Sequence, residues 1–310
     1  MSVILVFPGQ GSQKPGMAKD LADAFPRAKE MLQEVDDALG APLSRIMFEG
    51  PAEELTATHN AQPALLAHGA IVWELIRERV GDVSAAAGHS LGEHTAYHAA
   101  GSTTLADAVR LVRVRGALMH EAGIKRPGAM AAILGELTSA IEDICLRASE
   151  VAEVVPANYN SDTQIVVSGE IAGVERAMEL AKQAGAKRAV RLPVAGAFHS
   201  PLMKPAESGL REAVEATDFA DPSFPVYSNV TTDACTSALC ARETLVRQLT
   251  SPVRWVGQVK NMAEAHPGAL WIEPGPGNVL TSLISRAVQG SRTLACGTAA
   301  DIDKLFATLQ

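Results

Sequence analysis

Ser90 sits in Gly88-His89-Ser90-Leu91-Gly92, between two glycines and at the junction of a short apolar run and a helix-compatible one. A serine used as a nucleophile must lift its hydroxyl clear of the end of a sheet while the backbone turns sharply. Flanking glycines remove the side chains that would collide in such a turn. The helix that follows adds free N–H groups and the positive end of its dipole, both of which favour a developing oxyanion. The pattern GxSxG has three fixed positions and is matched by chance in a chain with 25 glycines, so a plain turn is the competing reading. Its placement, after a strand and before a helix, is what favours the elbow.

A nucleophilic serine needs a base, and eight histidines are available. His59, His68, His98, His120 and His266 lie in helical or loop-like segments without special surroundings and read as solvated or packed side chains. His89 and His94 are expected to pack beside or behind the serine, which keeps His89 among the candidates for substrate contact. His199 differs, because Val194-Ala195-Gly196-Ala197-Phe198-His199-Ser200-Pro201 is a loop that could return it to the mouth of the sheet. A hydrolase-type triad would place an Asp or Glu between serine and histidine in chain order. Asp143 and Asp162 fall inside a middle insertion, away from the expected position, which leaves a backbone carbonyl as the orienting group.

A second glycine-rich stretch, Phe7-Pro8-Gly9-Gln10-Gly11-Ser12-Gln13, matches neither GxxxxGK[ST] nor GxGxxG. Two readings stay open for it: the backbone N–H of Gln10 supplies a second oxyanion donor, or the stretch is an ordinary strand-to-helix turn. Glu273-Pro274-Gly275-Pro276-Gly277-Asn278 reads as a turn into a helix. Arg110, Arg113 and Arg115 lie on one predicted helix, Arg110 and Arg113 on neighbouring faces and Arg115 elsewhere, so one of them can point inward. An inward arginine in an acyl site needs a carboxylate partner, which its fork matches with two hydrogen bonds.

These residues require elements to position them. The apolar run Val3 to Phe7 predicts a buried strand, helical patterns follow in Ala18 to Leu39 and in Ala64 to Val80, and Ser84 to Ala87 predicts a second buried strand. Helical residues Glu93 to Ala100 complete an alternation that favours a parallel sheet covered on both faces. The middle of the chain changes character. Strands at Ala129–Leu134, Val154–Asn158, Gln164–Ser168 and Arg188–Val194, with helices at Thr138–Ser149 and Val174–Ala184, give the order β-α-β-β-α-β, the ferredoxin-like pattern. The expected organisation is therefore a small domain at 126–195 inserted into a core of 1–125 and 196–310. Ala269–Ile272 and Val279–Val288 predict a last strand and helix around the Glu273 turn.

Composition bounds the function. With 310 residues, 47% hydrophobic and 20% charged, the chain can bury a large core and is not disordered. A net charge of −8, with no basic stripe interleaved with aromatics, speaks against nucleic acid as a partner. Cys145, Cys235, Cys240 and Cys296 form no CxxC pair and have no histidines at zinc-ligand spacing, so they read as small buried residues or free thiols, with no metal expected. No run approaches the roughly twenty apolar residues of a membrane helix, and the N-terminus lacks the features of a signal peptide, so a cytoplasmic protein is expected.

Together, FPGQGSQ at 7–13, GHSLGE at 88–93, VRVRGALM at 112–119, GAFHSPLM at 196–203, RQLTSPVRW at 247–255 and EPGPGNVL at 273–280 resemble the malonyl-CoA:acyl carrier protein transacylases, in the family's order and over nearly the whole chain. The resemblance implies a hydrolase-like α/β core with a ferredoxin-like insertion. It implies Ser90 as nucleophile, His199 as base, the Gln248 backbone carbonyl as orienter of His199, and the N–H groups of Gln10 and Leu91 as oxyanion hole. Arg115 would hold the malonyl carboxylate, Met130, Asn158 and Asn160 would line the pocket, and Phe198 resembles the residue of malonyl-selecting polyketide acyltransferases. Malonyl-CoA and an acyl carrier protein would be the partners, with no cofactor. His94, where the motif commonly continues with an aromatic residue, and AFHS, in place of an SHS-like form, leave room for a trans-acting polyketide acyltransferase. A serine thioesterase or esterase is the more distant alternative.

Overall fold

Val3–Phe7 is a strand in which every residue is buried, because it lies in the middle of a sheet covered on both faces. The computed structural model describes residues 2–194 and 196–309. Its strands are β1 (Val3–Phe7), β2 (Val83–Gly88), β3 (Gly128–Leu134), β4 (Val154–Ser161), β5 (Gln164–Glu170), β6 (Arg188–Arg191), β7 (Val226–Tyr227), β8 (Ala234–Cys235), β9 (Leu270–Pro274) and β10 (Arg292–Cys296). They form two sheets. The larger runs β10-β9-β1-β2-β7-β8 and is parallel except for the short edge pair β7 and β8. The smaller runs β4-β5-β3-β6 and is antiparallel throughout.

The period of two along β1 divides the core. Val3, Leu5 and Phe7 pack on one face with the long helix Thr58–Val80, whereas Ile4 and Val6 pack on the other with Trp255, Val259, Met262 and Ile284. In the smaller sheet, Ala129, Ala131 and Ile133 of β3 meet the helices Ile141–Ala148 and Ile171–Gln183. The opposite face, with Met130 and Val166, turns toward Met119 of the helix Leu105–Lys125 and toward Phe198. A cleft between the two sheets results.

The element order of the middle segment agrees with the sequence reading, and the differences are local. The helix expected from Ala18 to Leu39 is interrupted at Phe25, before Pro26, giving Lys19–Ala24 and Pro26–Leu39. The helix expected to begin after Pro63 begins at Thr58 and carries Pro63 inside it. Proline lacks the N–H that would serve the His59 carbonyl, and Arg113 Nη1 donates to that carbonyl instead, at 2.8 Å. β4 continues past Asn158, where the strand was expected to end, because its ladder with β5 extends to Ser161. β6 ends at Arg191, short of Val194, and the expected boundary at 195 lies outside the described residues.

Two cysteines depart from their reading as free thiols. Cys235 and Cys240 form a disulfide, with Cα atoms 5.8 Å apart. The chain folds back between them at Ser237, whose hydroxyl caps the helix Ala238–Gln248 by accepting from Cys240 N at 3.2 Å. Cys145 and Cys296 are free and buried, as expected.

Candidate active site

β2 feeds directly into the helix Leu91–Ala99, and the turn between them places Ser90 at φ 53° and ψ −104°. An L-residue held there costs about 1–3 kcal/mol, which the surroundings must offset. The flanking glycines are required by close approach. A Cβ on Gly92 would lie 2.0 Å from the Phe7 carbonyl oxygen, and one on Gly88 would lie 1.8 Å from the Gly92 carbonyl carbon. Of the first N–H groups of this helix, Gly92 turns back to His89 O and Glu93 to Ser90 O. That of Leu91 has no such partner among the described residues, and it borders the same cavity as Gln10.

His199 reaches the elbow from the loop before the 3-10 helix Pro201–Ala206, itself at φ 58°. Its Nε2 lies 2.7 Å from Ser90 Oγ, and its Nδ1 lies 2.9 Å from the Gln248 carbonyl oxygen. Nδ1 therefore carries the proton and donates it to the carbonyl, which leaves Nε2 free to accept from the serine. Burial, reinforced by the Arg115 cation, pushes the imidazole pKa down to about 3, so the ring is neutral over the physiological range. Neither aspartate candidate approaches it: Asp143 is exposed, and Asp162 is paired with Lys260 at 3.0 Å.

Of the three arginines, Arg115 turns inward. Arg110 is exposed beside Asp107, Arg113 holds His59 and Asn60, and Arg115 is 1% exposed. The cause is a close helix crossing. At Gly116, one residue on, an added Cβ would come within 2.7 Å of Thr58 O and His59 Cα, so the helix Leu105–Lys125 lies hard against Thr58–Val80 and Arg115 is delivered beside Gln62. Its Nη1 donates to Gln62 Oε1 at 2.7 Å, and its Nη2 donates to Gln248 Oε1 at 2.8 Å and to Ser90 Oγ at 3.1 Å. Nε has no partner among the described residues. Burial lowers the guanidinium pKa to about 10, which leaves it charged at neutral pH.

Beneath the serine lies a polar cluster that the sequence reading missed. Ser90 N–H donates to Asn229 Oδ1 at 2.7 Å, Asn229 Nδ2 donates to Gly88 O at 2.7 Å and to Gln258 Oε1 at 3.0 Å, and Gln248 Nε2 donates to Ser90 O at 3.0 Å. Glu93, fully buried, accepts from Gln248 Nε2 at 2.6 Å and from Asn229 N at 3.2 Å. Burial raises its carboxyl pKa to about 7. Glu93 could have been noticed as a carboxylate within the apolar face of a helix. Asn229 lies between two-residue strands and carries no comparable signal.

The cavity in front of Ser90 has a volume of about 550 Å³. Gln10, His89, Ser90, Leu91, Arg115, Met130, Asn158, Asn160, Phe198 and His199 all line it, so the sequence-derived candidates converge on one place. Gln248 stands behind them. His89 sits beside the serine, its Nε2 2.8 Å from Asn160 Oδ1 and its ring against Trp255, whereas His94 is buried behind it. The Glu273 turn is structural, as expected: the carboxylate accepts from Leu280 N at 3.0 Å and Thr281 N at 2.7 Å at the start of the helix Val279–Ala287. Among the described residues, no group of three or more His, Cys, Asp or Glu could hold a metal ion, and no helix is long and apolar enough to cross a membrane.

A neutral imidazole against a serine hydroxyl, the Leu91 N–H at the start of a helix beside it and a buried cation make an arrangement able to form an acyl-serine from an acyl donor that carries a negative charge. Comparison with known proteins agrees. The family model for the acyl transferase domain matches residues 4–303. A malonyl CoA-acyl carrier protein transacylase of Bacillus subtilis is 44% identical over 309 residues, 99% of this chain and 97% of the relative. Among solved structures, the acyl-carrier-protein-S-malonyltransferase of Bartonella henselae superimposes with a TM-score of 0.94 at 40% identity, covering 100% of this chain and 99% of the other. A malonyl-transacylase in complex with its type II PKS acyl-carrier protein gives 0.94 at 41%, covering 99% and 100%.

Proposed function

This chain belongs to the acyl transferase domain family, and from that premise we propose that it moves a malonyl group from malonyl-CoA to the phosphopantetheine thiol of an acyl carrier protein, in fatty-acid biosynthesis. The observation that carries the reading is the buried Arg115 fork within bonding distance of Ser90 Oγ, since a neutral acyl group would have no use for it. Ser90 attacks the thioester carbonyl as its proton passes to His199 Nε2. The N–H groups of Gln10 and Leu91 hold the tetrahedral oxyanion, each contributing about 3 kcal/mol. His199 then returns the proton to the departing coenzyme A sulfur. Once Ser90 Oγ is an ester oxygen, Arg115 Nη2 loses a hydroxyl acceptor and turns to the malonyl carboxylate. The carrier thiol gives its proton to His199 and attacks the ester, and the proton returns to Ser90 as the oxyanion collapses. His89, Met130, Asn158, Asn160 and Phe198 shape the acyl pocket.

The proton and the acyl group are balanced by these groups alone, so the reaction as written calls on no resident cofactor or metal. The division into a core of 1–125 and 196–310 and a ferredoxin-like small domain of 126–195 belongs to the same proposal, supported by the β4-β5-β3-β6 order with two helices on one face. So does a location in the cytoplasm, where coenzyme A thioesters are used. The test is a two-substrate initial-rate study with malonyl-CoA and a holo carrier protein. Parallel double-reciprocal lines and malonyl-carrier product are expected. Rapid release of free malonate without acceptor would move the protein to the thioesterases.

A further inference from the structure

The Gln248 side chain has partners that a role for its backbone carbonyl does not use. Oε1 accepts from Arg115 Nη2 at 2.8 Å, while Nε2 donates to Ser90 O at 3.0 Å and to Glu93 Oε2 at 2.6 Å. The amide is fixed in this sense, because a flip would turn its NH2 toward a guanidinium and its oxygen toward a carbonyl and a carboxyl group. Gln248 is fully buried, so water cannot replace any of these partners at low cost. Ser90, held at positive φ, has both backbone polar groups tied by side chains, its N–H by Asn229 and its carbonyl by Gln248.

The amide also stands between opposite charges. Arg115 and Glu93 are both buried and attract one another, yet each meets Gln248 rather than the other. A direct Arg115–Glu93 pair would draw the guanidinium away from the cavity and neutralise the attraction it offers an incoming carboxylate. Gln62 Oε1 holds Nη1 from the other side, so the fork is braced at both ends.

We propose that the Gln248 side chain is a positioning residue that locks the Arg115 fork to the Ser90 elbow and keeps it out of an ion pair with Glu93, thereby setting selectivity for acyl groups that end in a carboxylate. This rests on the function proposed above and names a determinant of its substrate choice. Because the backbone carbonyl survives substitution, side-chain variants separate this role from the orientation of His199.

The experiment measures loading of the intact protein by malonyl-CoA against acetyl-CoA, in rapid-quench single turnovers followed by mass. The proteins are the wild type, Gln248→Leu, and Gln248→Leu combined with Glu93→Gln. The malonyl-to-acetyl ratio is expected to fall by about tenfold or more in Gln248→Leu and to recover at least several-fold in the double variant, which removes the competing carboxylate. A second-site recovery of selectivity is not an outcome of a merely structural defect. Should Gln248→Leu fail to fold, the near-isosteric Gln248→Glu carries the test, its new carboxylate on Arg115 again lowering the ratio. An unchanged ratio in folded variants, or no recovery in the double variant, would overturn the proposal. A wild type that malonyl-CoA does not load would instead overturn the functional reading beneath it.

Discussion

On the side of the cavity built by the parallel sheet, Ser90, Arg115, His199 and Gln248 hold one another through hydrogen bonds of 2.7–3.1 Å, and two of the four sit at positive φ. On the side built by the antiparallel sheet, Met130, Val166 and Leu192 meet the same cavity with apolar groups and Asn158 and Asn160 with amides. A polar tie across the two is His89 to Asn160, at 2.8 Å. The difference shows what each sheet is suited to. Strain and buried charge are tolerated where a parallel core supplies helix starts, close glycine contacts and a cross-linked polar floor. The antiparallel sheet contributes shape, with no ionised side chain among these residues.

The contrast is sharpened by substitutions on the two sides. Ser90→Ala is expected to abolish covalent loading, and His199→Ala to slow it by about 10²–10⁴-fold in single-turnover assays. Arg115→Ala is expected to remove the preference for malonyl over acetyl, a change of about tenfold or more in a competition assay, and unchanged selectivity would break the assignment of that cation. Across the cavity, Met130→Ala is expected to alter loading by less than about tenfold while shifting tolerance toward bulkier acyl groups, read from a panel of acyl-CoA esters. A loss as large as that of His199→Ala would show that the second sheet takes part in the chemistry.

The pH dependence separates catalysis from stability. His199 is held down to about pKa 3, so in Glu93→Gln, which removes the buried carboxyl held at about 7, the malonyl loading rate is expected to show no inflection near pH 6.5 and to fall as the imidazole protonates well below pH 5. Stability should behave differently. Burial pushes His68 down to about 4, with its Nε2 2.8 Å from Gly297 O, so between about pH 4 and the ordinary histidine value the unfolded chain binds a proton that the folded chain does not. Stability therefore rises with pH across that window, and His68→Asn is expected to flatten the rise in urea-unfolding midpoints measured from pH 4 to 7.

The elbow and the base were legible because their signals are local. Glycines on both sides of a serine at a strand-to-helix junction report a close approach, and the loop holding His199 follows a recognisable strand. The inward arginine was legible only as one of three, since periodicity ranks faces of a helix without saying which neighbour crosses it. Gly116 marks that crossing, and its meaning depends on Thr58 and His59, more than fifty residues away. Pro63 misled the helix start for the same reason: its missing hydrogen bond is replaced by Arg113, a tertiary partner. Asn229, Gln62 and the Gln248 side chain act only through such distant partners, and the Cys235–Cys240 pairing depends on a fold-back at Ser237 that no cysteine motif announces.

The most direct measurement is the intact mass of the purified protein after mixing with malonyl-CoA in the absence of carrier, followed by peptide mapping. A single malonyl adduct on Ser90, stable until a thiol acceptor is added and absent in Ser90→Ala, is the expected result. A malonyl group on another residue, or free malonate with no lasting adduct, would contradict the assignment of Ser90 as the nucleophile of a transferase.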